Sequence, residues 1–226
     1  PVVFMIVSDP VALGVIEAPD KPRSNVTDTL YLLPMETQIK AARSYLDFKR
    51  VGYIVNETEN NSITARDDLR ALAKTHGFTL VERSLPVSPA GAPDARAIPA
   101  ILDAFRQEKV DLIYQGPDTF LNSRREQLTD GALALGIPVF AAAENPVQNA
   151  RALLGVVNKY EDVGRFTATQ ALRILRDHTP PSRIPVELPR NFSYLINLPV
   201  ALQLGRYPPL KLLDVAEIVG IQAEDR

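Results

Sequence analysis

Cysteine is absent from this chain, which excludes disulfides, thiolate nucleophiles and cysteine-ligated metal. Histidine is nearly so: His76 and His178 are too few and too far apart for a His-based metal site. No run approaches the ~18 consecutive apolar residues of a membrane span, and no signal-peptide pattern opens the chain. The 25 basic and 27 acidic residues are interspersed, leaving a formal charge of -2 and no basic stripe, so nucleic acid is not an expected partner. The 11 glycines form no Gly-x-Ser-x-Gly elbow, no Gly-x-x-x-x-Gly-Lys loop and no Gly-x-Gly-x-x-Gly turn. The expectation is therefore a binder without catalytic residues, cofactor or metal.

What remains is an ordinary globular composition, 46% hydrophobic and 23% charged over 226 residues, long enough for one large α/β domain or two lobes. Residues 1–7 read as a continuous apolar strand buried on both faces of a parallel sheet. A buried central strand rarely opens a chain, so earlier strand-helix units are expected to be missing from the first lobe. Pro10 stops that strand and leaves Ser8 and Asp9 at its carboxyl end, where ligands of open α/β sheets bind. A short strand is expected over residues 25–31, and a helix after Pro34 with Met35, Ile39, Ala42 and Leu46 on one face.

Regular alternation follows. Strands are expected at 50–55, 78–81, 110–114 and 137–141, with helices after Ser62, around Ile98 to Phe105, from Thr119 to Leu135 and briefly after Glu144. Gly77 and Gly136 occupy helix-ending positions. Residues 154–165 then pass from a β-branched run into a helix, with Asn158 and Glu161 at capping-box spacing, and read as a crossing between two lobes. The helix that follows is expected to bury Gly164, Ala168, Ala171, Leu172 and Leu175. Beyond the hinge-like Pro180-Pro181, short strands are expected at 184–187 and 192–196, then two short helices.

Several runs, taken in order, carry a resemblance. They are Ser8-Asp9-Pro10-Val11-Ala12; Asn25-Val26-Thr27; Arg50-Val51-Gly52-Tyr53 through Asn56 to Asn61-Ser62; Asp111-Leu112-Ile113-Tyr114 with Asp118; and Ile137-Pro138-Val139-Phe140-Ala141. Tyr160-Glu161 with Gly164-Arg165, Ile184-Pro185-Val186-Glu187 and Leu195-Ile196-Asn197 continue the series. Together they resemble the substrate-binding proteins of ABC transporters of the tryptophan/tyrosine-type group, a branch of the periplasmic-binding-protein type I fold.

The resemblance implies two doubly wound parallel-sheet α/β lobes joined by a multi-strand hinge, closing on a small molecule. It places residues 1–48 and 157–179 in a first lobe that is N-terminally truncated, and 49–156 and 180–226 in a second. It implies an extracytoplasmic protein delivering a solute, an aromatic amino acid as first guess, to an ABC permease in the membrane. The alternative is the ligand-sensing domain of a membrane receptor or sensor kinase.

A zwitterionic solute needs donors for its carboxylate, acceptors for its ammonium and an apolar wall for its side chain. The candidates are Ser8, Asp9, Asn25, Thr27 and Asn158 from the first lobe, and Asn61, Ser62, Gln115, Asp118, Thr119 and Glu144 from the second. Each has a structural alternative. Ser62 and Asn158 suit helix N-caps, Asp9 and Asp118 suit proline turns, Asn25 and Thr27 bound a strand, and Glu144 starts a helix. The chain also departs from the family pattern: Ala142-Ala143 replace a frequent Ser-Asp pair, Gln115-Gly116-Pro117 replace the usual approach to Asp118, and Asp28 stands where glycine is usual.

Overall fold

In the computed structural model, residues 1–220 are described. Two short strands come first, β1 (Val2–Met5) and β2 (Val26–Thr29). They are followed by α1 (Met35–Tyr45), β3 (Arg50–Val55), α2 (Asn60–Thr75), β4 (Thr79–Ser84), α3 (Ile98–Gln107), β5 (Leu112–Gln115), α4 (Thr119–Ser123) and α5 (Arg125–Ala134). Then come β6 (Val139–Ala141), α6 (Asn145–Gln148), β7 (Leu154–Val157), α7 (Tyr160–Leu175), β8 (Ser193–Asn197), α8 (Leu198–Gln203), α9 (Leu210–Leu213) and β9 (Ala216–Val219).

The chain divides into two compact units, Pro1–Leu33 with Val157–Ser193, and Pro34–Val156 with Tyr194–Arg226, so it passes three times from one to the other. These divisions differ from 48 and 179. Helix α1 falls in the second unit because its buried Gln38 accepts a hydrogen bond from Tyr114 (3.0 Å), and its Arg43 reaches the carbonyls of Phe48 and His76.

The second unit is a seven-stranded sheet in the order β4-β3-β5-β6-β7-β8-β9. The β3–β4, β3–β5, β5–β6, β6–β7 and β8–β9 pairings are all parallel. Strands buried on both faces read as unbroken apolar runs, and Val51, Ile54, Leu112, Ile113, Phe140, Leu154, Leu195 and Ile196 accordingly have essentially no exposure. Ile39, Leu69, Leu102, Phe105, Leu128 and Ala132 supply the inward faces of α1, α2, α3 and α5. Gly52 is glycine for packing: a Cβ there would stand 3.0 Å from Val110 and 3.1 Å from Phe105. The chain goes from β3 out to the edge strand β4 and returns on the other side of β3 as β5. The order thus reverses between β3 and β5, and such a switch point opens a crevice at the strands' carboxyl ends.

The first unit pairs β1 with β2 in parallel, Val2 opposite Val26 through Met5 opposite Thr29, and packs α7 on both. Expected burial of β1 on both faces is corrected here: Val2 is 51% and Met5 45% exposed. The reason is the two-stranded sheet, in which β1 has a single paired edge. The expected inward face of α7 is corrected as well. Val163 and Gln170 are its buried residues, whereas Leu172 and Leu175 are 50% and 74% exposed.

Three smaller corrections follow from local bonding. The helix expected from Thr119 to Leu135 breaks at Arg124, so α4 and α5 are separate. Residues 184–187 form no strand; Glu187 makes one parallel bridge to Thr29. Strand β9, not foreseen, pairs with β8.

Candidate functional site

Around the switch point the loops after β3 and β5 meet in one bonded cluster. Tyr53, nearly buried in β3, donates from its hydroxyl to the Ser62 carbonyl (2.9 Å), and the two hydroxyls lie 3.2 Å apart. Ser62 Oγ also accepts the Asn56 backbone N–H (3.0 Å). Ser62 therefore sits inside α2 and fastens the helix to the strand; the N-cap position belongs to Glu59, which corrects the cap expectation. The Glu59 carboxylate crosses to α4, accepting from the Thr119 backbone N–H (2.9 Å to Oε2) and hydroxyl (2.9 Å to Oε1). Asn61 donates to the same carboxylate at 3.3 Å.

Asp118 caps α4, its Oδ1 accepting the Leu121 N–H at 2.6 Å. Its Oδ2 is buried without a hydrogen-bond partner, and so is Gln115 Oε1 at the end of β5. Burial raises the Asp118 pKa and the Glu59 charge adds to the rise, against the Leu121 N–H and the nearby Asn56 and Ser62. The turn between these residues needs Gly116, since a Cβ there would lie 3.0 Å from the Tyr53 hydroxyl. Glu144 lies on the next strand's end, at the N-cap position of α6.

In the first unit, Ser8 and Tyr31 share a hydroxyl hydrogen bond (2.9 Å), and buried Asn158 donates from Nδ2 to the Tyr31 carbonyl (3.0 Å). That donation fixes the amide and leaves Oδ1 without a partner. Asn158 is thus no cap: Lys159 holds the N-cap position of α7, and no side chain caps it. The Tyr160 ring packs beside Tyr31 at 6.2 Å. Thr27 is wholly buried, its hydroxyl bonded to the Ile184 carbonyl (2.9 Å), so it ties β2 to the following segment. Asp9 closes its own turn by accepting the Ala12 N–H (2.8 Å), and Asn25 is exposed with its carbonyl accepting from Val2.

Ser62, Asn61, Asp118, Thr119 and Gln115 thus gather at one place in the second unit, and Ser8 joins Asn158 through Tyr31 in the first. Asp9 and Asn25 remain local, Thr27 ties β2 to Ile184 after α7, and Glu144 holds the N-cap position of α6. Sequence reasoning missed Glu59, Tyr53 and Tyr31 as members of these clusters. For Glu59 a signal existed, since it immediately precedes the helix. For Tyr31 none did, because its partners lie 23 and 127 residues away. Among the described residues no group of three or more His, Cys, Asp or Glu is placed to hold a metal ion, and no helix is long and apolar enough to cross a membrane.

Comparison with known proteins adds a family. The description ABC transporter substrate binding protein fits residues 1–219. A tyrosine-binding protein of Clostridioides difficile (strain R20291) is 27% identical over 177 residues, 77% of this chain but 48% of the relative, so the chain spans about half its length. A substrate binding protein with adhesive properties from Clostridium difficile, in its ligand-free, open structure, superposes with a TM-score of 0.80 at 25% identity, over 98% of this chain and 72% of that one. A conserved domain protein from Vibrio cholerae gives 0.82 at 28%, over 97% and 71%.

Proposed function

From the premise that this chain belongs to the ABC transporter substrate-binding protein family, we propose that it captures a small amino acid, aromatic first, for an ABC importer. The observation that carries the reading is the pair of buried, unpartnered acceptors at the switch point, Asp118 Oδ2 and Gln115 Oε1. Acceptors left bare in a buried site await donors, and a solute ammonium supplies three. Within the first unit, Tyr31 with Tyr160, and Asn158 Oδ1, form a separate aromatic and polar cluster. The tyrosine-binding relative supports an aromatic side chain. Capture outside the cytoplasm and handover to a membrane permease complete the proposal, as the family's role suggests.

The chain has no tryptophan, which supplies the experiment. L-tryptophan is at once a trial solute and the sole indole fluorophore, so its binding is read directly as a change in its emission. Tyrosine and phenylalanine are then scored by displacement and by thermal shift. A solute at one hundred times its Kd adds about 2.7 kcal/mol to apparent stability. Asp118→Ala is expected to weaken binding by tenfold or more. If no amino acid shifts the melting curve, the reading fails; if one binds equally well to the Asp118→Ala protein, the site is elsewhere.

A further inference from the structure

Asp28 is the one acidic side chain of the first unit that is wholly buried among the described residues. It lies in β2 opposite Phe4 of β1, and neither carboxylate oxygen has a hydrogen-bond partner. Thr29 Oγ1 is equally bare, but successive strand residues point to opposite faces, so that hydroxyl does not serve it. The elements packed on β2 are β1, α7, the Pro181–Arg183 turn and the segment after it, where Glu187 bridges Thr29. Strand β1 brings only apolar side chains. The ionisable groups on the others are Tyr160, Glu161, Asp162, Arg165 and Arg173 of α7, Arg183, and Glu187. None exerts a charge effect on Asp28, whose pKa burial pushes up to about 7, the neighbouring Thr29 backbone N–H holding it down only in part.

A buried carboxylate without a cation or donor is far costlier than the same group protonated. We propose that Asp28 is a proton-operated switch inside the first unit: as the neutral acid it permits β1, β2 and α7 to pack, and on ionising it drives that packing open toward water.

The intact protein tests this by carboxyl carbon NMR and amide hydrogen exchange. One aspartate carboxyl is expected to titrate near neutrality and to vanish from the spectrum of Asp28→Asn. Because Asp118 is also buried, Asp118→Asn is run beside it and should leave that titration in place. Exchange protection of β1, β2 and α7, taken relative to Asp28→Asn at each pH, should fall about tenfold per pH unit from the ordinary aspartate range up to the titration point and level off above it. Should Asp28→Asn not fold, the wild-type titration compared with Asp118→Asn decides alone. No aspartate titrating near neutrality, or protection ratios that stay flat, overturns the proposal.

Discussion

Ile6 is a β-branched residue at φ 59°, a conformation that costs an L side chain roughly 1–2 kcal/mol. It follows β1 directly and sets the direction in which Ser8 and Asp9 leave the strand. Because Ile6 is partly exposed, little packing opposes its replacement. Ile6→Asn, which tolerates the left-handed region, should raise the melting temperature by a few degrees at unchanged solute affinity. Affinity lost with stability gained would mean that the strained turn itself presents Ser8. Tyr53 makes the opposite case, a residue whose single hydroxyl organises its neighbours. Tyr53→Phe removes the donor to Ser62 and should cost about 1–2 kcal/mol in denaturant unfolding. Neither effect is legible in the sequence, since backbone angle and bonding partner are set by the tertiary structure.

Elements were more legible than residues. The runs that became β3, β5, β6 and β8 were legible as strands, and Gly77 and Gly136 marked helix ends with their positive φ of 64° and 73°. Periodicity failed at α7, where Leu172 and Leu175 carry the spacing of a core face yet stand exposed. The pattern identifies an apolar stripe; it does not say which residues the neighbouring strands reach. The difference is measurable. Leu172→Gln with Leu175→Gln should change stability by less than about 0.5 kcal/mol. Val163→Ala, at a fully buried position on the same helix, should cost about 1–3 kcal/mol. Equal losses in chemical denaturation would show that the outer face is packed in solution. The strand-end positions of the candidate site were readable from the β/α alternation, whereas the division of labour among them was not. Ser62 and Asn158 have the composition of caps, and only the fold turns one into a fastener of β3 and the other into a partner of Tyr31.

At the scale of the whole molecule, two buried aspartates set a pH dependence. Both native pKa values are raised above the unfolded one, so the stability tied to their neutral forms is complete below the ordinary aspartate range and is lost as pH rises. For Asp28 the loss is complete just above pH 7 and amounts to roughly 4 kcal/mol. Solute-free protein should therefore melt at a higher temperature near pH 5 than near pH 8. A solute whose ammonium reaches Asp118 should narrow that gap, because it favours the ionised carboxylate. A melting temperature that climbs from pH 5 to pH 8 would contradict both assignments. Glu59 bears on this in another way. From the cap of α2, one carboxylate holds the first residue of α4 and so ties the loops after β3 and β5 together. Loops tied together before a solute arrives have less disorder left to lose, so in the proposed capture less of the entropic cost falls on them.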